Sequence, residues 1–166
     1  MNTYITHFLI FSALSTIPVF SQETNAADWG PISHNLQMEI SLKGDNSDVQ
    51  LGQKIILTAK YKNLSNKTFI MYEYNGAVLD PSYDFKITSP SGHDTSPDMK
   101  KISPSDSGAV KPIAPGQIYE VNLDLSAVCK FETTGTYKIV ITKQIQDESA
   151  AQFKVISNPL NVKVIR

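Results

Sequence analysis

Two histidines and several carboxylates are the residues of this 166-residue chain whose types could support chemistry. His34 and His93 lie far apart in the sequence, and the third histidine, His7, lies in the apolar N-terminal segment. The chain contains no Gly-x-Ser-x-Gly nucleophile elbow, no His-Glu-x-x-His, no Cys-x-x-Cys and no phosphate-cradling glycine-rich loop. The sequence therefore favours a protein that is not an enzyme.

A long polar stretch from His93 to Gly108 is the candidate binding loop. It is rich in Ser, Pro, Asp and Gly, shows no hydrophobic periodicity, and is longer than most connections between strands. Because ordered domains seldom keep such a segment without a use, we predict that it forms the binding surface. The side chains that could contact a ligand there are His93, Asp94, Asp98, Met99, Lys100 and Lys101.

Two weak metal-binding patterns are present. His93 and Met99 offer one nitrogen and one sulfur, a pair that suits copper, and the stretch 45–48 (Asp-Asn-Ser-Asp) offers the oxygen ligands that Ca²⁺ prefers. Two ligands do not make a copper site. The acidic stretch lacks the spacing of an EF-hand loop, and turn formation by Asp and Asn explains it equally well. We therefore predict no metal and no other cofactor.

The charge balance excludes a class of partners. The chain has 15 Lys and Arg against 16 Asp and Glu, and Lys100-Lys101 is the only adjacent basic pair. Such a chain has no long-range field that would attract nucleic acid or an anionic membrane. The expected partner is an unidentified protein or surface partner.

The first 26 residues are typical of a secretory signal peptide. Residues 8–20 form an uncharged apolar run of about 20 Å as a helix, too short to span a hydrocarbon core of about 30 Å. Small residues follow it, and cleavage after Ser21 or after Ala26 fits the usual rule. We predict a secreted or periplasmic protein without a membrane span in its mature chain. Two adjacent N-glycosylation sequons begin at Asn63 and Asn66 and would matter in a eukaryotic host.

Residues 27–166 are predicted to form a single all-β domain. Alternating apolar and polar residues indicate about eight short strands, separated by turn residues, and no stretch has the pattern of a long helix. The predicted strands are 36–42, 54–62, 68–74, 83–88, 110–113, 118–125 and 136–143, with a last strand in two pieces at 153–155 and 160–164. Residues 144–151 are predicted to be a polar loop. An antiparallel β-sandwich is the expected fold.

The stretch 131–141 is the most motif-like part of the chain. Gly135 can take a positive φ, and it precedes Tyr137, which opens an alternating strand, as in the tyrosine corner of β-sandwiches. We expect structural roles for Gly135, Tyr137 and Phe131, and we expect the only tryptophan, Trp29, to pack across an edge of the sandwich. Cys129 is the only cysteine, so no intramolecular disulfide can form.

These residues together resemble the immunoglobulin-like domains of secreted bacterial proteins. The similarity rests on Pro115-Gly116, on Gly135-Thr136-Tyr137-Lys138-Ile139 and on the closing stretch 157–164, and the paired cysteines of antibody-type domains are absent. The resemblance implies the fold and carries over no functional residue. We therefore expect a non-enzymatic exported module for binding or structural interaction.

Protease inhibition is the alternative function. Thr133-Thr134-Gly135 is similar to the Thr-Thr-Gly loop of an immunoglobulin-like class of cysteine-protease inhibitors, and intracellular proteinase inhibitors also show a Gly-x-Tyr turn. The competing interpretation is that the triplet is only the turn that leads into the Tyr137 strand.

Overall fold

The computed structural model describes residues 28–44, 48–73, 80–98 and 109–166. The predicted signal peptide lies outside these residues and stays a prediction. Met99, Lys100 and Lys101 of the candidate binding loop also lie outside them. None of the helices in the described ranges is long and apolar enough to cross a membrane.

Ten strands and one short 3-10 helix make up the described chain. The strands are β1 (Leu36–Leu42), β2 (Asp48–Gln50), β3 (Ile56–Asn63), β4 (Phe69–Glu73), β5 (Tyr83–Thr88), β6 (Ala109–Ile113), β7 (Ile118–Asp124), β8 (Gly135–Asp147), β9 (Gln152–Ile156) and β10 (Leu160–Ile165), and the 3-10 helix is Leu125–Ala127. The count exceeds the predicted eight because β2 is an additional short strand, and because the two pieces of the last strand are counted separately as β9 and β10.

Two sheets enclose one apolar core. The smaller sheet has the order β1-β3-β7, and the larger has the order β2-β10-β8-β4-β6 with β5 and β9 also paired to β8. Neighbouring strands are antiparallel except β2 and β10, which pair in parallel. Inward residues of both sheets, such as Met38, Tyr61, Phe85 and Ile139, belong to one buried cluster. The predicted all-β sandwich without a disulfide is therefore confirmed.

Strand β8 is the centre of the larger sheet and is longer than predicted. It pairs with β10 and β9 along one side and with β5 and β4 along the other. Its final residues, Gln144 to Asp147, were expected in a polar loop, and this expectation is wrong. Ile145 is buried while Gln144 faces solvent, so the alternation of a strand continues through these residues.

The junction between β9 and β10 joins the two sheets. The side chain of Asn158 accepts from the backbone N–H of Ile40 (2.7 Å) and donates to the Ile40 carbonyl (3.2 Å), both on β1. The Ser157 hydroxyl accepts from the backbone N–H of Ile141 on β8 (3.0 Å). The two Asn158 bonds satisfy part of the outer edge of β1, which would otherwise present unpaired backbone groups.

A gap opens between β4 and β8. Only Phe69 and Ile70 of β4 pair with β8, whereas the rest of β4, Met71 to Glu73, pairs with β6 alone. Pairing along that side of β8 resumes with β5, where Tyr83 lies opposite Lys143. The side chains at this gap form the site described next.

Candidate functional site

A lysine side chain fills the inner side of the gap. The inward residues of β8 alternate as Tyr137, Ile139, Ile141, Lys143 and Ile145, so the strand itself directs Lys143 into the sandwich. The Lys143 side chain is only 1% exposed, as is that of Asp80 beside it. Charged residues are rarely buried so completely unless they are paired.

The Lys143 ammonium has four partners. It donates to the carboxylate of Asp80 and to the hydroxyl of Ser82. It also donates to the backbone carbonyl of Tyr72 (3.3 Å), and it lies 4.0 Å from the centre of the Tyr83 ring, which adds a cation–π contact. All three donors of an ammonium group therefore have acceptors.

The Asp80 carboxylate is also fully engaged. Its Oδ2 accepts from Lys143, while its Oδ1 accepts from the backbone N–H of Ser82 (2.9 Å) and from the Ser82 hydroxyl (2.5 Å). Ser82 thus accepts from the ammonium and donates to the carboxylate. The result is a neutral, hydrogen-bonded unit of Lys143, Asp80 and Ser82, which we call the buried triad.

Three tyrosines extend the polar region toward the smaller sheet. Tyr61 on β3 donates its hydroxyl to that of Tyr83 (3.0 Å), and burial raises the pKa of both phenols. Tyr119 on β7 donates to the Glu73 carboxylate (2.9 Å), and partial burial together with Glu73 raises the pKa of Tyr119 to about 12. These groups stay neutral near pH 7 and act there as hydrogen-bonding groups.

The geometry of the buried triad suits a structural role for Lys143 better than a role as a nucleophile. Burial lowers the pKa of Lys143, the direction needed for an amine nucleophile, while the charge of Asp80 acts in the opposite direction. However, the amine is shielded from solvent and held by three acceptors. We conclude that Lys143 fixes the strands around the gap.

The outer side of the same gap is a shallow depression of about 320 Å³. It is lined by six residues: Tyr72, Ser82, Gln144, Ile145, Gln146 and Gln152. None of these lining residues is charged. We call this surface the glutamine face.

The amides of the glutamine face are available for further hydrogen bonds. Gln144 donates to the side-chain oxygen of Gln152 (2.5 Å), which leaves the Gln144 oxygen and the Gln152 amino group. Within the described ranges, the side chain of Gln146 and the hydroxyl of Tyr72 have no hydrogen-bond partner. Tyr72 is 40% exposed, so part of its ring faces solvent.

The buried triad holds the glutamine face from beneath. Lys143 binds both the backbone carbonyl of Tyr72 and the hydroxyl of Ser82, two residues that line the depression. The backbone N–H of Gln144 also donates to the Ser82 carbonyl (2.8 Å). The surface is therefore preorganised, because its positions are set by the scaffold beneath it.

The described start of the candidate binding loop, residues 93–98, lies elsewhere. His93, Asp94 and Asp98 are exposed, near the opposite end of β5 from Ser82. The start of the loop is less irregular than expected, because residues 93–96 bond to the edge of β5, including Thr95 N–H to Ile87 carbonyl (2.8 Å). The Asp94 carboxylate accepts from the Ser96 hydroxyl and backbone N–H, and these bonds lower the pKa of Asp94. That this loop binds a partner stays a prediction.

The residues expected to be structural have the following contacts. The Tyr137 hydroxyl donates to the Thr133 carbonyl (3.2 Å), the geometry of a tyrosine corner, and the Phe131 ring meets the Tyr137 ring edge-on at 5.0 Å. Gly135 has φ +130° and faces Pro90 closely. Trp29 is half-buried, with the Lys62 ammonium 5.7 Å from its ring centre.

The structure also describes the two glycosylation sequons and the residues that could bind a metal. Asn63, the first sequon asparagine, is completely buried, and its amide donates to the carbonyls of Lys67 and Ile113, so it is not accessible for glycosylation in the folded state. Asn66 is exposed. Among the described residues, no group of three or more His, Cys, Asp or Glu side chains could hold a metal ion.

The sequence did contain a signal for the glutamine face. The inward positions 137, 139 and 141 extend in register to 143 and 145, which places Gln144 and Gln146 outward. No local signal points to Asp80, which meets Lys143 across 63 residues of chain.

Comparison with known proteins identifies a fold and not a family. The chain matches no known protein-family model, and no curated protein sequence matches it. Its backbone is similar to that of the Northeast Structural Genomics Consortium target SoR45, with a TM-score of 0.51, 14% identity, and 81% of this chain and 90% of that chain covered.

A second similar structure is an ApaA-like protein from Bordetella pertussis. Its TM-score is 0.50 at 13% identity, with 79% of this chain and 94% of that chain covered. Both are all-β domains compatible with an immunoglobulin-like sandwich. At such identities the likeness shows the fold alone.

Proposed function

We propose that this protein is a non-enzymatic, exported binding module that recognises its ligand with the glutamine face. The observation that carries the proposal is the pairing of a preformed depression with a buried triad that fixes two of its lining residues. Sites built on paired strands hold their side chains more accurately than sites built on loops. Export rests on the signal-like N-terminal sequence.

The composition of the site supports binding over catalysis. In the part of the chain that the structure describes, its lining residues contain no carboxylate, imidazole, thiol or amine that would transfer a proton or attack a substrate. The one buried amine nearby is fully engaged in the buried triad.

Thr133, part of the triplet that resembles an inhibitor loop, bonds to Tyr137 through its N–H, hydroxyl and carbonyl. This supports a turn-forming role for the triplet, and we keep protease inhibition only as the alternative.

The test compares retention by three immobilised proteins. Cell-envelope extract is passed over the wild type, over Tyr72→Ala and over the control Ile118→Ala, which removes a 52%-exposed apolar side chain from the smaller sheet. Retained protein and retained carbohydrate are measured separately. We expect Tyr72→Ala to lose a retained component that Ile118→Ala keeps. Identical retention by all three proteins would show that the glutamine face is not the binding surface.

A further inference from the structure

We infer that the ligand of the glutamine face is a neutral saccharide, an inference that rests on the proposed function. The first argument is the chemistry of the lining. A sugar ring presents an apolar C–H face, which packs on an exposed aromatic ring, and hydroxyl groups that both donate and accept. Tyr72 supplies the ring, and three glutamines supply side chains that both donate and accept.

The absence of charge in the lining narrows the ligand class. Among the described residues, neither carboxylates nor cationic groups line the depression, so this described lining offers no counter-charge to an anionic or cationic ligand. The three amides are strong hydrogen-bonding groups without net charge. A ligand rich in hydroxyl groups matches this surface, whereas a phosphate, a sulfated chain or a basic peptide does not.

The backbone around the depression disfavours an extended peptide. Peptides that add a strand need free backbone groups at a sheet edge. Here Gln144 and Gln146 of β8 lie opposite Lys154 and Gln152 of β9 in the register of the ladder. On the other strand, Tyr72 pairs with Val110 of β6, and its carbonyl accepts from Lys143. Because the β8 and β9 backbones are already paired, recognition along β8 uses side chains, as a saccharide allows.

The size of the site indicates that it binds only a short segment of a saccharide. A volume of about 320 Å³ lies at the lower end of the range of about 300–1,000 Å³ for small-molecule sites. The depression lies on the outer face of the sheet, where a longer chain can continue beyond the bound segment. The residues expected to contact the sugar are Tyr72, Gln144, Gln146 and Gln152.

A glycan microarray tests the inference with defined probes. The array carries neutral oligomers of glucose, mannose, galactose and N-acetylhexosamines, with sialylated and sulfated glycans as anionic probes. We expect binding to neutral glycans. For the best neutral glycan, Tyr72→Ala should weaken the affinity about tenfold or more, while Tyr72→Phe, which keeps the ring, should stay within about threefold of the wild type. Ile118→Ala is the control and should bind like the wild type.

Three outcomes would overturn the inference. They are binding to no neutral glycan, binding to anionic glycans alone, and neutral-glycan binding that Tyr72→Ala leaves unchanged. Thermal unfolding of each variant shows that a loss of binding is not a loss of folding. If the envelope extract yields a protein whose retention depends on Tyr72 while the array stays empty, the saccharide inference fails and the proposed binding function stands.

Discussion

At the scale of single residues, Lys143 is buried, although lysine side chains are usually exposed. Its ammonium is buried with Asp80, and burial of two charges is stabilising only when each is well paired. Lys143→Met leaves the Asp80 carboxylate buried without its cation. We expect it to lower the free energy of unfolding by about 3–5 kcal/mol in urea titrations near pH 7.

The double variant Lys143→Met/Asp80→Leu separates pairing from packing. Because it removes both charges, it should recover much of the stability lost in Lys143→Met. An exposed pair provides the matched control: Lys163 and Asp48 are 3.3 Å apart, with side chains 59% and 38% exposed. Lys163→Met should cost less than about 1 kcal/mol. A similarly small cost for Lys143→Met would mean that the buried triad does not stabilise the fold.

The hydroxyl of Tyr137 has a measurable role at the same scale. It donates to the Thr133 carbonyl, so Tyr137→Phe should cost about 1 kcal/mol of unfolding free energy. Tyr72→Phe is the matched control, since its hydroxyl has no hydrogen-bond partner among the described residues, and it should stay within about 0.5 kcal/mol of the wild type. Equal stabilities of the two variants would contradict a tyrosine corner at this position.

At the scale of elements, local alternation predicts which residues of a strand are buried but not where the strand ends. The alternation of the strand 136–143 predicts that Tyr137, Ile139 and Ile141 share one face, and all three are buried. The same spacing continues to Lys143 and Ile145. The polar residues Lys143, Gln144 and Gln146, read without their surroundings, predict a loop. In the folded protein Asp80 and the neighbouring strands pair with them, so the strand can continue. Such pairing comes from residues far away in the sequence, as Asp80 is from Lys143, and no local pattern specifies it.

The start of β8 gives a prediction for an element boundary. Gly135 has φ +130°, and an added Cβ would lie 2.7 Å from two side-chain carbons of Pro90. Gly135→Ala therefore combines backbone strain with a steric clash, and we expect a loss of at least about 2 kcal/mol in unfolding free energy.

Gly44→Ala is the control for Gly135→Ala. Gly44 has φ +103°, and no atom of the described residues lies within 4 Å of the added Cβ, so we expect its cost to come from the backbone. Gly44→Ala should cost about 1–2 kcal/mol. If it destabilises the protein as much as Gly135→Ala does, the Pro90 contact contributes nothing and the strand start is set by backbone conformation only.

At the scale of the whole molecule, the polar groups between the sheets make stability depend on alkaline pH. Tyr61 and Tyr83 ionise near pH 10 in the unfolded chain, but burial raises their pKa in the folded protein. Above pH 10 the unfolded state therefore releases protons that the folded state keeps, and folding stability falls as pH rises. Lys143 has the opposite effect up to pH 10.5, its ordinary pKa, because burial lowers its pKa in the folded state.

These opposing effects define the experiment. Above pH 10.5 the contribution of Lys143 levels off, and each buried phenol removes up to about 1.4 kcal/mol of stability per pH unit. We expect the urea midpoint of the wild type to drop steeply between pH 10.5 and 11.5. Tyr61→Phe, which has one titrating phenol fewer, should show a shallower drop, while Tyr72→Phe serves as the control and should parallel the wild type. Parallel curves for all three proteins would mean that the phenols between the sheets ionise without unfolding the sandwich.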